Sequence, residues 1–277
     1  MKRTLRSKRV ISLGYRIDRY DSRDYRYSAA PRALPAVVDN RAQVARIMNQ
    51  NPEGACPGHA VCTVAEFQYW RRSGKKVDLS QRWAYRKARE NDPWPGENYH
   101  GSTLRAAIAA WATYGMCKEE YWPYEAYQIA EESPEFDLVA WEGEPREGAA
   151  ANALQHPVQT YRRCDTPFAI KHAIHEHGIV AVGGPVHSGW DIWGEGTIPY
   201  DDGVYELGGH AFALVGYNEE ARVYYVANSW GEEWGKNGFA EYSYNDANEN
   251  IRDAWVATVP SGTHHALTHE RGADGST

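Results

Sequence analysis

At 277 residues and 42% hydrophobic content, the chain can bury a sizeable core, which argues against disorder throughout. No run approaches the roughly 18 uninterrupted apolar residues needed to cross a bilayer, so an integral membrane protein is not expected. The net charge of −7 hides an asymmetry: residues 1–32 carry ten Lys/Arg and three Asp, a local +7 that leaves the remainder at −14. Such an arm could contact nucleic acid, but no groove-reading motif accompanies it. It reads instead as a segment packed on its own acidic body.

The apolar patch Val10–Leu13, broken by Ser12, is too short for a signal-peptide core. Four cysteines, at 56, 62, 117 and 164, are too few and too scattered for a disulfide framework. Together these features predict a cytoplasmic, reducing setting.

Along the chain, the basic arm (1–33) gives way at Leu34-Pro35 to an organised body. Helical patterns follow at Pro57–Arg72 with Gly74 as a stop, at Ser80–Glu90 with Ser80 as N-cap, and at Thr103–Tyr114 between a Ser102 cap and Gly115. A fourth runs over Thr166–His177 and ends at Gly178. The period then changes to short apolar runs: Ile179–Val182, Ala211–Val215, Val223–Ala227, Phe239–Tyr244 and Trp255–Val259. Turn pairs such as Asp202-Gly203 and Asn237-Gly238 separate them. The pattern predicts an α+β protein with a mainly helical domain over 34–160, a β-rich domain over 161–260 and a cleft between them. The tail, 261–277, is expected to be disordered.

The chemistry centres on Cys56. A Gly-containing loop, Asn49 to Ala55, delivers it to the start of the first helix, and Pro57 fits the first helical position. Backbone N–H groups and the dipole at a helix N-terminus favour negative charge, so a thiol placed there loses its proton more readily. Two further runs supply partners. Gly208-Gly209-His210-Ala211-Phe212 puts a histidine at the mouth of an apolar strand, and Val226-Ala227-Asn228-Ser229-Trp230-Gly231 follows after one turn. If those strands pair, His210 meets Asn228. A thiolate needs an imidazole as proton carrier, and the imidazole needs a partner to fix its tautomer.

These residues resemble the papain-like cysteine peptidases in three blocks: Gln50 to Cys56, Gly209-His210-Ala211 through Val215-Gly216-Tyr217, and Asn228-Ser229-Trp230-Gly231 through Trp234 to Phe239. The resemblance implies the two-domain fold of that family, with a helical left domain, a β-barrel-like right domain and the active site between them. It implies Cys56 as nucleophile, His210 as general base and acid, Asn228 as orienter and Gln50, six residues before the cysteine, as oxyanion donor. Trp230 would shield the His–Asn bond and line the cleft with Gly208 and Gly209, whose missing side chains suggest an open pocket. Peptide bonds would be hydrolysed through a covalent thioester, with no metal or cofactor.

The sequence also departs from the family pattern. Pro57-Gly58-His59 replaces the usual Trp-Ala-Phe, and Glu53 stands where a disulfide cysteine is usual. His210 lies 154 residues beyond Cys56, which places an insertion within 118–165. A Cys56/His59/Cys62 metal site lacks a fourth ligand, His172, His175 and His177 read as solvated surface, and Gly183-Gly184 lacks the Lys of a phosphate loop. Two other functions use the same residues: a catalytically dead scaffold that grips a partner, and an acyltransferase or peptide ligase in which an amine intercepts the thioester.

Overall fold

The computed structural model describes residues 11–94, 100–124 and 143–261, and within them helices come early and strands late. A short strand, β1 (Val37–Asp39), opens the body. Helices α1 (Cys56–Ser73), α2 (Gln81–Asn91), α3 (Leu104–Tyr114) and the single-turn α4 (Ala149–Ala153) follow, then strand β2 (Thr160–Arg163) and helix α5 (Pro167–His177). The remainder is β3 (Val180–His187), β4 (Glu206–Asn218), β5 (Val223–Ala227), β6 (Phe239–Ser243), the short α6 (Tyr244–Asn250) and β7 (Asp253–Thr258). Residues 1–10 of the arm, much of the expected insertion and the tail beyond Ser261 lie outside the described residues.

The four predicted helices form within a residue or two of their expected ends. Ser80 caps α2 by accepting from the Trp83 N–H. For α3 the cap is Thr103, not the expected Ser102: Thr103 accepts from the Ala106 N–H, while the Ser102 hydroxyl donates to Asp92 Oδ2 at 3.0 Å. Helix α1 begins at Cys56 itself, so Pro57 is its second residue.

Among the described residues seven antiparallel strands form one sheet in the order β2-β7-β3-β4-β5-β6, with β1 added to the far end of β4. Side chains alternate across β4. Ala211, Ala213 and Val215 face a core that also contains Ala60, Val61, Val64 and Phe67 of α1, whereas Phe212, Leu214 and Tyr217 face a second core with Ala173 and Ile174 of α5. A register shift between Leu214 and Gly216 reverses the alternation and turns Tyr217 to the same side as Leu214.

Helix α1 is buried on nearly every side, Glu66 and Gln68 included, because it lies between the sheet and α2. A methyl group at Gly58 would come within 2.6 Å of the Tyr85 backbone, so the departure at this position lets α2 approach closely. His172 is buried, with its ring 4.1 Å from that of Phe168, contrary to the expectation of a solvated residue. Among the described residues no helix is long and apolar enough to cross a membrane.

Candidate active site

Strands β4 and β5 pair through Ala213↔Ala227 and Leu214↔Val226, which brings His210 near the start of β4 to Asn228 just past the end of β5. His210 Nε2 lies 2.8 Å from Asn228 Oδ1. An amide oxygen only accepts, so this bond puts the imidazole proton on Nε2 and leaves the Nδ1 lone pair free. Nδ1 is buried and has no hydrogen-bond partner. Trp230 stacks on the ring at 4.4 Å and Trp190 closes its edge at 6.1 Å, so the His–Asn bond is shut off from water. Burial drives the imidazole down to about 4, against the opposing pull of Asn228.

Cys56 is buried at the first residue of α1. The N–H groups of Ala211, Gly14 and Cys56 itself, with the Gln50 side chain, lie near its sulfur and favour the thiolate. Burial outweighs them and pushes the thiol up to about 12. Ala211 follows His210 in the chain, so the sulfur sits against the strand that carries the imidazole.

Gln50 is set by partners that the sequence did not reveal. The Ser229 hydroxyl donates to Gln50 Oε1 at 2.7 Å, and the Gln50 N–H bonds the Ser229 carbonyl at 2.8 Å. The amide is thereby oriented with its NH2 toward the cleft. Tyr124 bonds the Gln50 carbonyl at 2.6 Å and Glu53 Oε2 at 2.9 Å, and Arg82 lies 3.6 Å from the same carboxylate. Glu53, at the position of a usual disulfide cysteine, is thus held by buried polar contacts. Its single clue in sequence is an acidic residue in a loop that must be buried.

The described part of the N-terminal arm runs through this site. The Ser12 carbonyl accepts from Gln50 Nε2 and from Trp230 Nε1, both at 3.1 Å. Gly14 and Tyr15 donate to the Gly209 carbonyl at 3.2 and 3.1 Å. On the opposite wall Ser102 donates to the Gly14 carbonyl and accepts from the Arg16 N–H, each at 2.9 Å. The space beside Gly208 and Gly209 is therefore filled by Leu13 and Tyr15. The arm does not simply lay positive charge on a negative body: its Asp18 and Asp24 pair with Arg105, and Asp24 also faces Arg163.

All four cysteines are free, and among the described residues no group of three or more His, Cys, Asp or Glu side chains could hold a metal ion. His59, one ligand of the metal site considered from sequence, bonds the Ala55 carbonyl at 3.0 Å and meets the Tyr124 ring edge-on.

A buried thiol at a helix start, an amide-oriented imidazole and a fixed amide donor in one cleft define the class of thiol-dependent acyl-transfer enzymes. Residues 34–259 match the papain family cysteine proteases, and the chain belongs to that family as a cysteine-type peptidase with the papain-like α+β fold. It is 25% identical over 246 residues to an uncharacterised peptidase C1-like protein of Acanthamoeba polyphaga mimivirus, covering 82% of this chain and 75% of that one. To cathepsin L2 of Homo sapiens it is 27% identical over 248 residues, covering 82% and 66%. Xylellain, a cysteine protease from Xylella fastidiosa, shares the fold with a TM-score of 0.79 at 24% identity, over 93% of this chain and 100% of that one. These relatives support a peptidase over the dead scaffold or the acyltransferase.

Proposed function

We propose that the chain cleaves peptide bonds of peptide or protein substrates with Cys56 as nucleophile, once the arm has left the cleft. With the arm displaced, water and substrate replace Gly14 at the sulfur, and the burial that holds the thiol up is relieved. The proton then passes to His210 Nδ1, the ring nitrogen without a partner. The thiolate attacks the substrate carbonyl. Negative charge on its oxygen is met by Gln50 Nε2 and the Cys56 N–H, donors fixed before the reaction begins. The imidazolium, steadied by Asn228, protonates the leaving amine, and water then hydrolyses the thioester by the reverse proton path.

The observation that carries this reading is the bond from His210 to Asn228, which leaves Nδ1 free, in the cleft where Gln50 and Trp230 hold a peptide carbonyl. The same contacts support a resting form in which the arm blocks the site. Four free thiols, with Glu53 at a disulfide position, support a reducing, cytoplasmic setting.

The test is mass-spectrometric profiling of a mixed peptide library with the full-length Tyr15→Ala chain, beside a Tyr15→Ala/Cys56→Ala control. Cleavage present in the first and absent in the second is the expected result. No cleavage in either, or equal cleavage in both, contradicts the reading.

A further inference from the structure

A second imidazole in the β-rich domain is oriented as strictly as His210. His187, the last residue of β3, is buried, and its Nε2 lies 2.7 Å from Oδ2 of Asp246, itself buried in α6. The carboxylate is fixed from its own side: the Asp246 N–H donates to the Ser243 hydroxyl at 3.1 Å, and Asn250 Nδ2 donates to Asp246 Oδ1 at 2.8 Å. A carboxylate only accepts, so the bond to Asp246 puts the His187 proton on Nε2 and leaves a lone pair on Nδ1. Here that lone pair is taken. It accepts from the Gly189 N–H at 3.1 Å and so caps the turn Ser188–Trp190. The pair therefore offers no free base, and the neighbouring Ser188 hydroxyl is engaged as well, accepting from the Tyr205 N–H at 3.2 Å.

What the cap holds in place is Trp190, the residue that ends the turn. Its ring meets His210 edge-on at 6.1 Å and Trp230 edge-on at 6.2 Å, and it stacks on Trp234 at 5.9 Å. Its carbonyl accepts from Trp234 Nε1 at 2.8 Å. The path of the turn is narrow: a methyl group on Gly189 would come within 2.2 Å of the Pro199 carbonyl. Without an acceptor at His187 Nδ1, the buried Gly189 N–H loses its bond and the turn relaxes. Trp190 then no longer closes the edge of His210, and water reaches the His210–Asn228 bond.

Resting on the peptidase reading, we propose that His187 and Asp246 are positioning residues for the reaction: Asp246 selects the tautomer of His187, His187 sets the turn, and the turn seats Trp190 against His210. Both act through Trp190 on the imidazole that carries the proton. Their loss should therefore appear in kcat, by roughly tenfold, and leave KM nearly unchanged.

Two variants separate the two ends of the ring. His187→Asn keeps an acceptor about where Nδ1 stands and gives up Asp246, whereas His187→Gln keeps a donor about where Nε2 stands and gives up the Gly189 N–H. In the full-length Tyr15→Ala background, with the best library peptide, His187→Asn should hold kcat close to the parent while its urea midpoint falls. His187→Gln should hold the midpoint and lose roughly tenfold in kcat with KM unchanged. A second readout needs no turnover: NMR of the full-length Cys56→Ala chain follows exchange of the His210 Nε2–H with water. Exchange should stay slow in His187→Asn and become faster in His187→Gln, and either comparison stands if the other variant fails to fold. Loss of kcat and midpoint together in both variants overturns the proposal, as does His210 exchange that is unchanged in His187→Gln or faster in His187→Asn. If the Tyr15→Ala parent hydrolyses nothing, the peptidase reading falls and the exchange measurement alone decides this one.

Discussion

On the sheet wall of the cleft, His210 and Asn228 are 18 residues apart on paired strands. On the helix wall, the loop carrying Gln50 and Cys56 is braced by Glu53 together with Tyr124, 71 residues away, and Arg82. The first wall gets its geometry from strand register, which is local and repetitive. The second gets it from buried polar contacts between distant segments, which stabilise only while every partner stays matched. Substitutions on the sheet wall should therefore damage chemistry with little cost in folding, and those beneath the helix wall the reverse.

The sharpest way to break that comparison is Glu53→Ala. Arg82 and Tyr124 lose the carboxylate they face, and the expected loss of stability is about 3–5 kcal/mol in a urea titration. A loss under about 1 kcal/mol would remove the contrast. Next comes Gln50→Ala, which takes away one oxyanion donor and should lower kcat by about 10²–10³-fold. On the opposite wall Asn228→Ala should lower kcat by about 10²-fold, less than loss of Cys56 or His210, while the urea midpoint stays close to that of the parent. Both are read in the Tyr15→Ala background with the best library peptide.

The smallest effect concerns pH. Burial, reinforced by Asp253, raises the Asp18 carboxyl to about 6, against opposing hydrogen bonds from Arg105 and Thr103 and the Arg105 charge. Its docked value lies above its ordinary one, so docking of the arm takes up a proton. Docking is then strongest at low pH and weakens as pH rises through about 6. Peptide binding to the full-length Cys56→Ala chain should strengthen between pH 4.5 and 7.5, and Asp18→Asn should flatten the trend. Binding that strengthens on acidification would contradict this.

The same difference between walls governs what could be read from the amino-acid order. Helices α1, α2, α3 and α5 and strand β5 were legible because caps, stops and apolar period lie within each segment. His210 and Asn228 were legible because one hairpin brings them together. Strand β1 is only three residues long, and α6, mostly polar and capped by Ser243, carried no apolar period, with its first residue, Tyr244, read as the end of a strand. The choice between Ser102 and Thr103 as a cap turned on Asp92, which claims the Ser102 hydroxyl. The path of the arm was the least legible feature. Its decisive contacts, Ser12 to Trp230 and Tyr15 to Asp253, span 218 and 238 residues, and no local pattern encodes a partner that far away.

The central claim is that Cys56 is a nucleophile activated by His210, and alkylation of full-length Tyr15→Ala chain by iodoacetamide, mapped by mass spectrometry at neutral pH, tests it most directly. The account predicts that Cys56 reacts far faster than Cys62, Cys117 and Cys164, and that His210→Ala removes this advantage. Equal rates at all four cysteines, or a Cys56 rate indifferent to His210→Ala, would contradict it.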